Sequence, residues 1–258
     1  MKSMYKYAFS LLLALSSFIG HAQTTQPKDS IGTSVATATT VKKDSVKPKT
    51  ERYGLRLGID VFKLSRTFSE KDYRGLELVG DFKLTRKHYI AAELGNENKT
   101  VQDDHLNFTT KGTYLKAGFD YNLYENWLGM HNMLYVGMRY GISSFSQTLN
   151  SYTVYNTHPY FGEAAVTPEG TKYEGLSAQW IEVVAGIKAE VFNNLYVGFS
   201  FRMNNLISNK VPDNFDNLYI PGFGRTYGGN VGAGFNYTIS YFLPLYKSTI
   251  KPKEKKKN

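Results

Sequence analysis

Five histidines and no cysteine set the range of side-chain chemistry open to this 258-residue chain. Thiolate metal sites, disulfides and cysteine nucleophiles are excluded. His21 stands in an N-terminal segment expected to be removed, and His88 and His131 fall in short connections. That leaves His105 and His158, each in a long polar stretch. Asp103-Asp104-His105 sets acid beside base, but neighbours on an extended chain point to opposite faces. Neither histidine stands in a motif with a serine nucleophile. No catalytic residue, metal site or cofactor is therefore assigned, and the chain is not expected to be an enzyme.

The chemistry that remains is recognition. One long polar stretch carries Tyr152, Tyr155, His158, Pro159, Tyr160 and Phe161, and another carries Phe215, Tyr219, Ile220, Pro221, Phe223 and Tyr227. Clustered aromatics can anchor a partner or pack on one another as a cap, and the sequence leaves both open. Tyr155, Tyr160, Phe161, Phe215, Tyr219 and Phe223 are the partner-binding candidates.

The elements that hold these residues follow from charge and periodicity. The formal charge of +9 belongs to the ends. Residues 52–246 carry 18 basic and 18 acidic side chains, so the body has no basic excess for a phosphate backbone, and nucleic acid is not an expected partner. Lys2 and Lys6, the apolar run Tyr7 to Ile19 and the small-x-small site Gly20-His21-Ala22 read as a signal peptide over 1–22. Residues 23–51 are Thr, Ser, Lys, Ala and Pro without aromatics, the composition of a disordered periplasmic linker. Residues 247–258 read as a basic disordered tail unable to extend a sheet.

Between these ends the period is two. Leu134, Val136, Met138, Tyr140 and Ile142 alternate with Tyr135, Gly137, Arg139, Gly141 and Ser143; Leu195 to Met203 and Val231 to Tyr241 repeat the pattern. About eight such segments appear, most near the roughly 10 residues that a tilted strand needs to cross a bilayer. Connections alternate between short (85–88, 124–132 and Asn193-Asn194) and long (63–73, 96–113, 148–176 and 205–229). The expectation is an all-β fold, a closed antiparallel transmembrane β-barrel over 52–246, with both termini periplasmic.

The polar face carries Arg56, Lys83, Lys116, Arg139, Lys188 and Arg202 against Asp60, Glu77, Asp81, Glu93, Asp120, Glu182 and Glu190. Charges enclosed in a narrow barrel must be paired, and eight strands leave room for little beyond side chains. A plugged lumen is expected, with glycines making room for the long Arg and Lys stems. The alternative is a soluble lipocalin-like barrel, the same alternation turned inside out around a lipid-like ligand. Tyr53, Tyr121, Tyr124, Trp127, Tyr135, Trp180, Tyr196, Tyr241, Phe242 and Tyr246 near strand ends favour the membrane arrangement, as interfacial girdles.

With cleavage before Gln23 and alternating aromatics in the last strand, the chain resembles the small outer-membrane β-barrel proteins of Bacteroidota, a largely uncharacterised group. It departs from them in running on past the closing strand into a lysine-rich tail. Asp29-Ser30-Ile31 and Asp44-Ser45-Val46 are similar to the O-glycosylation sequence of that phylum, which makes Ser30 and Ser45 candidate glycosylation sites. The resemblance implies an outer-membrane location and contact with outer-membrane lipid. A plugged lumen that excludes transport, with aromatic outer loops and a basic periplasmic tail as surfaces on either side, gives the expected role: a non-enzymatic accessory or structural subunit among other envelope proteins. The alternative roles are a lipid A-modifying enzyme and a soluble lipid-binding barrel.

Overall fold

The structure, a computed structural model, describes residues 49–103, 105–124, 132–154, 160, 164–166, 170–212, 216–226 and 229–250. In chain order these form β1 (Lys49–Asp60), α1 (Val61–Ser69), β2 (Tyr73–Lys83), β3 (His88–Gln102), β4 (Leu106–Asn122) and β5 (Met133–Val154). There follow β6 (Ala164–Val166), β7 (Thr171–Phe192), β8 (Leu195–Asn209), β9 (Tyr219–Ile220), β10 (Gly224–Arg225) and β11 (Val231–Ile250).

Eight of these strands form a ring in which each pairs antiparallel with its neighbours in sequence: β1, β2, β3, β4, β5, β7, β8 and β11. The ring closes where β1 meets β11, in register from Lys49↔Ile250 to Asp60↔Thr238. Closure leaves no full-length edge, which a strand facing lipid requires. An even strand count returns the chain to its starting rim, so Lys49 and Ile250 lie on the side of the short turns. The turn at Asn193-Asn194 places Asn194 at φ 64, the left-handed conformation that asparagine tolerates.

The two faces settle which way the alternation points. Leu57, Leu78, Leu94, Leu115, Met138, Ile142, Val183, Phe199, Phe235 and Ile239 face outward and are exposed. Arg56, Asp81, Glu93, Lys116, Asp120, Arg139, Glu182 and Arg202 face inward and are buried. A soluble lipocalin-like barrel would show the reverse. An apolar exterior around a charged interior is stable only with lipid outside, and the fold is a transmembrane β-barrel.

Several expectations are corrected. Pairing extends past 52 and 246, because Lys49–Arg52 and Lys247–Ile250 match residue for residue at the lower rim. There Glu51 pairs with Lys83 of β2 (2.7 Å) and with Arg86 of the β2–β3 connection (2.6 Å). Pro244 is accommodated by a bulge, where Tyr53↔Tyr246 gives way to Gly54↔Pro244 and Leu245 is left unpaired.

Among their described residues the stretches 96–113 and 148–176 are largely strand and not loop: β3 and β4 pair through Gln102↔Asn107, and β5 and β7 run 22 residues each, whereas 205–229 holds only the end of β8 and the two-residue strands β9 and β10. The upper halves of β3, β4, β5 and β7 rise past the bilayer into water, where the alternation changes sign. On β5, Ser144 points outward while Phe145 and Leu149 are buried within.

The girdle is also half right. Tyr121, Tyr124, Tyr241 and Tyr246 are exposed on the outer surface, but Tyr135, Trp180, Tyr196 and Phe242 line the interior. Trp127 lies outside the described residues. Glycine explains the inward rings. Gly141 pairs across strands with Trp180 and Gly95 with Tyr114, and a Cβ at either glycine would meet the opposite ring at 2.3 or 2.2 Å. The room is used mainly by aromatic rings lying over glycine.

Candidate functional site: the sealed lumen and its cap

The lumen is filled in layers. Near the lower rim Tyr89, Met133, Tyr135 and Val184 form one apolar cluster. Tyr196 packs edge-on against Phe242 and under the Arg56 guanidinium, 4.3 Å from the ring centroid.

Above it stands the charge network. Arg202 grips Glu93 with two hydrogen bonds (2.5 and 3.0 Å) and reaches Glu182 at 3.2 Å. Lys116 meets Glu182 at 3.0 Å and Glu93 at 3.7 Å, while Arg139 meets Asp120 at 2.7 Å and Glu93 at 3.5 Å. Asp81 is held by Lys188 (2.6 Å) and Arg56 (3.7 Å). The Trp180 indole donates to Glu182 at 2.7 Å. The central group has three cations (Lys116, Arg139, Arg202) and three carboxylates (Glu93, Asp120, Glu182). Neutrality at this depth is what burial demands.

The third layer contains two charges assigned by the sequence to loops. Lys63, from α1, bridges Glu77 and Glu97 at 2.7 Å each. The Tyr114 hydroxyl donates to Glu77 at 2.5 Å, and Asn236 donates to Glu77 (2.8 Å) and to Asp60. The signal for Glu97 was the alternation itself. Glu93, Gly95 and Glu97 continue one inward face, and reading on past Asn96 would have found it.

A cap closes the outer end. β9 and β10 form a small hairpin around Pro221-Gly222-Phe223 that dips into the mouth. Phe223 lies edge-on to Trp180 at 5.9 Å, within a cluster with Tyr114, Phe145, Leu176, Leu206 and Ile220. Glu97 anchors the hairpin from the wall, accepting from the Tyr219 hydroxyl (2.7 Å) and the Gly222 amide (3.2 Å). Asn204 and Gln147 donate to the Phe223 and Asp216 carbonyls at 3.2 and 3.0 Å. Gly222 is required twice over: its φ is +83, and a Cβ would meet the Tyr114 ring at 2.5 Å.

The partner-binding candidates divide accordingly. Tyr219 and Phe223 are buried in the cap and present no surface to a partner, a correction that follows from their packing against Val101, Phe108 and Trp180. Tyr160 is 92% exposed. Tyr155, Phe161 and Phe215 lie outside the described residues, as do the glycosylation candidates Ser30 and Ser45. His105 sits in the β3–β4 connection, whereas Asp104 and His158 lie outside the described residues. Among the described residues no three His, Asp or Glu side chains converge as a metal site.

A closed barrel, apolar outside and salt-bridged inside, defines the class of molecule. The chain belongs to the family described as a domain of unknown function, DUF6048, which matches residues 4–248. No curated protein matches it. Among solved structures it is similar to Ail, the attachment invasion locus protein of Yersinia pestis, at 9% identity and a TM-score of 0.36, over 76% of this chain and 98% of that one.

Proposed function

We propose that this chain is a non-enzymatic outer-membrane barrel, an accessory or structural subunit of an envelope assembly, with both termini in the periplasm. The observation that carries this reading is the occupied lumen. Aromatic floor, charge network, Lys63 layer and inserted hairpin follow one another from rim to rim. Such an interior serves stability and leaves no conduit for a solute. Function then rests with the outer surfaces: the apolar band toward outer-membrane lipid, the polar upper walls of β3, β4, β5 and β7, and the exposed Tyr160. Paired strands with polar outer faces form a rigid platform for other envelope proteins. The neutral body gives nucleic acid nothing to hold.

The test is purification of a tagged copy from native outer membranes in mild detergent, with quantitative mass spectrometry. A fixed stoichiometric set of envelope proteins is expected. A barrel that purifies alone after chemical cross-linking in intact cells would contradict the subunit role.

A further inference from the structure

Two separate elements close the upper part of the barrel, and one carboxylate holds both. The first is α1. β1 stops at Asp60, where its pairing with β11 ends at Thr238 and its pairing with β2 at Leu78. Above that level Tyr73–Glu77 of β2 pair only with β3, and Val231–Tyr237 of β11 pair only with β8, which leaves a slot in the wall. α1 covers the slot without joining the sheet. Thr67 donates to the Gly75 carbonyl (2.9 Å) and accepts from the Gly75 amide (2.8 Å), Phe62 packs on Phe235 at 4.8 Å, and Lys63 reaches inward. A short helix held by side chains is a weaker closure than a hydrogen-bonded strand. The second element is the hairpin of β9 and β10 in the mouth.

Glu97, buried in β3, gives one oxygen to each. Its Oε1 meets Lys63 of α1 at 2.7 Å and accepts from the Tyr73 hydroxyl at 3.2 Å. Its Oε2 accepts from the Tyr219 hydroxyl at 2.7 Å and from the Gly222 amide at 3.2 Å, both in the hairpin. Tyr114 makes a second bridge, since its hydroxyl accepts from Lys63 at 2.5 Å and its ring lies against Gly222. Elsewhere helix and hairpin stand around a cavity of about 280 Å³, lined by Phe62, Lys63 and Arg66 of the one and by Tyr219, Gly222 and Phe223 of the other.

This arrangement makes each closure depend on the other. Lys63 is the one ion-pair partner of Glu97 among the described residues. With α1 undocked and the hairpin in place, Glu97 is a buried carboxylate without a cation, which is a costly state. Releasing the hairpin lets water reach the carboxylate and removes that cost. In the opposite order, water admitted over Glu97 weakens its attraction for Lys63 and loosens α1. Both half-open states are therefore disfavoured against the fully closed and the fully open ones.

We propose that α1 and the β9–β10 hairpin are two leaves of one lid, locked by Glu97, which uncover the wall slot and the mouth in a single step. The charge network beneath uses no residue of either leaf. It stays paired and keeps the lumen blocked while the layer above it, with Glu77 and Glu97, meets water. The lid does not depend on the subunit role, and either can fail alone.

The test is hydrogen exchange of the full chain in phosphatidylcholine vesicles, read at one amide for each leaf. The Gly75 amide is bonded to Thr67 and reports α1, and the Gly222 amide is bonded to Glu97 and reports the hairpin. Each variant is made in one leaf and read in the other. Thr67→Val removes both bonds to Gly75 and should speed exchange at Gly222 by about fivefold or more, the effect of roughly one lost hydrogen bond on an opening equilibrium. Tyr219→Phe removes a bond to Glu97 and should speed exchange at Gly75 by a similar factor. The Val184 amide, in the apolar cluster near the lower rim, should be unchanged in both. In the unaltered protein the Gly75 and Gly222 amides should already share one opening constant and one urea dependence, so the decision does not hang on a variant that folds. Unequal constants, or variants that loosen only their own leaf, would overturn the proposal.

Discussion

Removing Glu93 alone should be far more damaging than removing Glu93 together with Arg202. Glu93 is surrounded by Arg202 at 2.5 Å, Arg139 at 3.5 Å and Lys116 at 3.7 Å, all nearly inaccessible to solvent. Glu93→Leu leaves three cations against two carboxylates, an uncompensated buried charge that costs about 3–5 kcal/mol. Arg202→Met leaves the opposite imbalance at a similar cost. In the double variant, Lys116 keeps Glu182 at 3.0 Å and Arg139 keeps Asp120 at 2.7 Å, so the layer is again neutral and paired. Exchanging a buried pair for well-packed apolar groups is commonly neutral or stabilising. The double-mutant cycle should therefore return a coupling energy of several kcal/mol, well above the ~0.5 kcal/mol scatter of independent sites. The assay is urea unfolding in bilayer vesicles, followed by tryptophan fluorescence, since Trp180 donates to Glu182 within the network. If the two single losses add, the layer is not a balanced unit and the reasoning fails.

Three further outcomes follow from the cap and the helix. Gly222→Ala puts a methyl group into the Tyr114 ring at a positive φ, which should cost on the order of 1–3 kcal/mol and speed trypsin cleavage at Arg225, read on a gel. Asp60→Ala removes the cap of α1 at about 0.5–2 kcal/mol, with faster hydrogen exchange expected at the Phe62 and Lys63 amides; Asp60→Asn should retain most of the protection. Hydrogen bonding from Arg66, with help from Lys99, lowers the Glu70 carboxyl from its usual 4.5 to about 2. A depressed folded value means that this anchor is present above about pH 4.5 and is lost as the pH falls toward 2. Pepsin cleavage near Phe68 should accelerate across that window, and Glu70→Gln should abolish the pH dependence.

The membrane-spanning half of the barrel was legible because a bilayer imposes one rule on it, apolar outward and polar inward at every second residue. Leu134 to Ile142 and Leu195 to Met203 could be read directly, and so could the tight turn at Asn193-Asn194. Above the bilayer the rule reverses. Ser144 and Phe145 obey it with opposite sign, and a reading tuned to lipid-facing apolar residues sees such segments as loops. α1 was hidden for a different reason. Val61 continues the alternation of Leu55, Leu57 and Ile59, and only the Asp60 carboxylate turned onto the next two amides marks the break. The charged lumen was visible as a set of residues, but Lys63 and Glu97 were lost with the segments that carry them. The aromatics of 215–227 looked alike as anchors or as a cap, because burial depends on the mouth into which they fold.

The central claim is the direction of the alternation, and the absence of cysteine makes it directly measurable. Single cysteines along β5, at 134, 136, 138, 140, 142, 144, 146 and 148, would be spin-labelled in vesicles and relaxed by oxygen or by a water-soluble nickel chelate. The account predicts oxygen-dominated relaxation from 134 to 142, with a change to nickel-dominated relaxation at 144 and beyond. Nickel access at 136, 138 and 140 would contradict it, because those side chains would then face water and the barrel would not span a membrane.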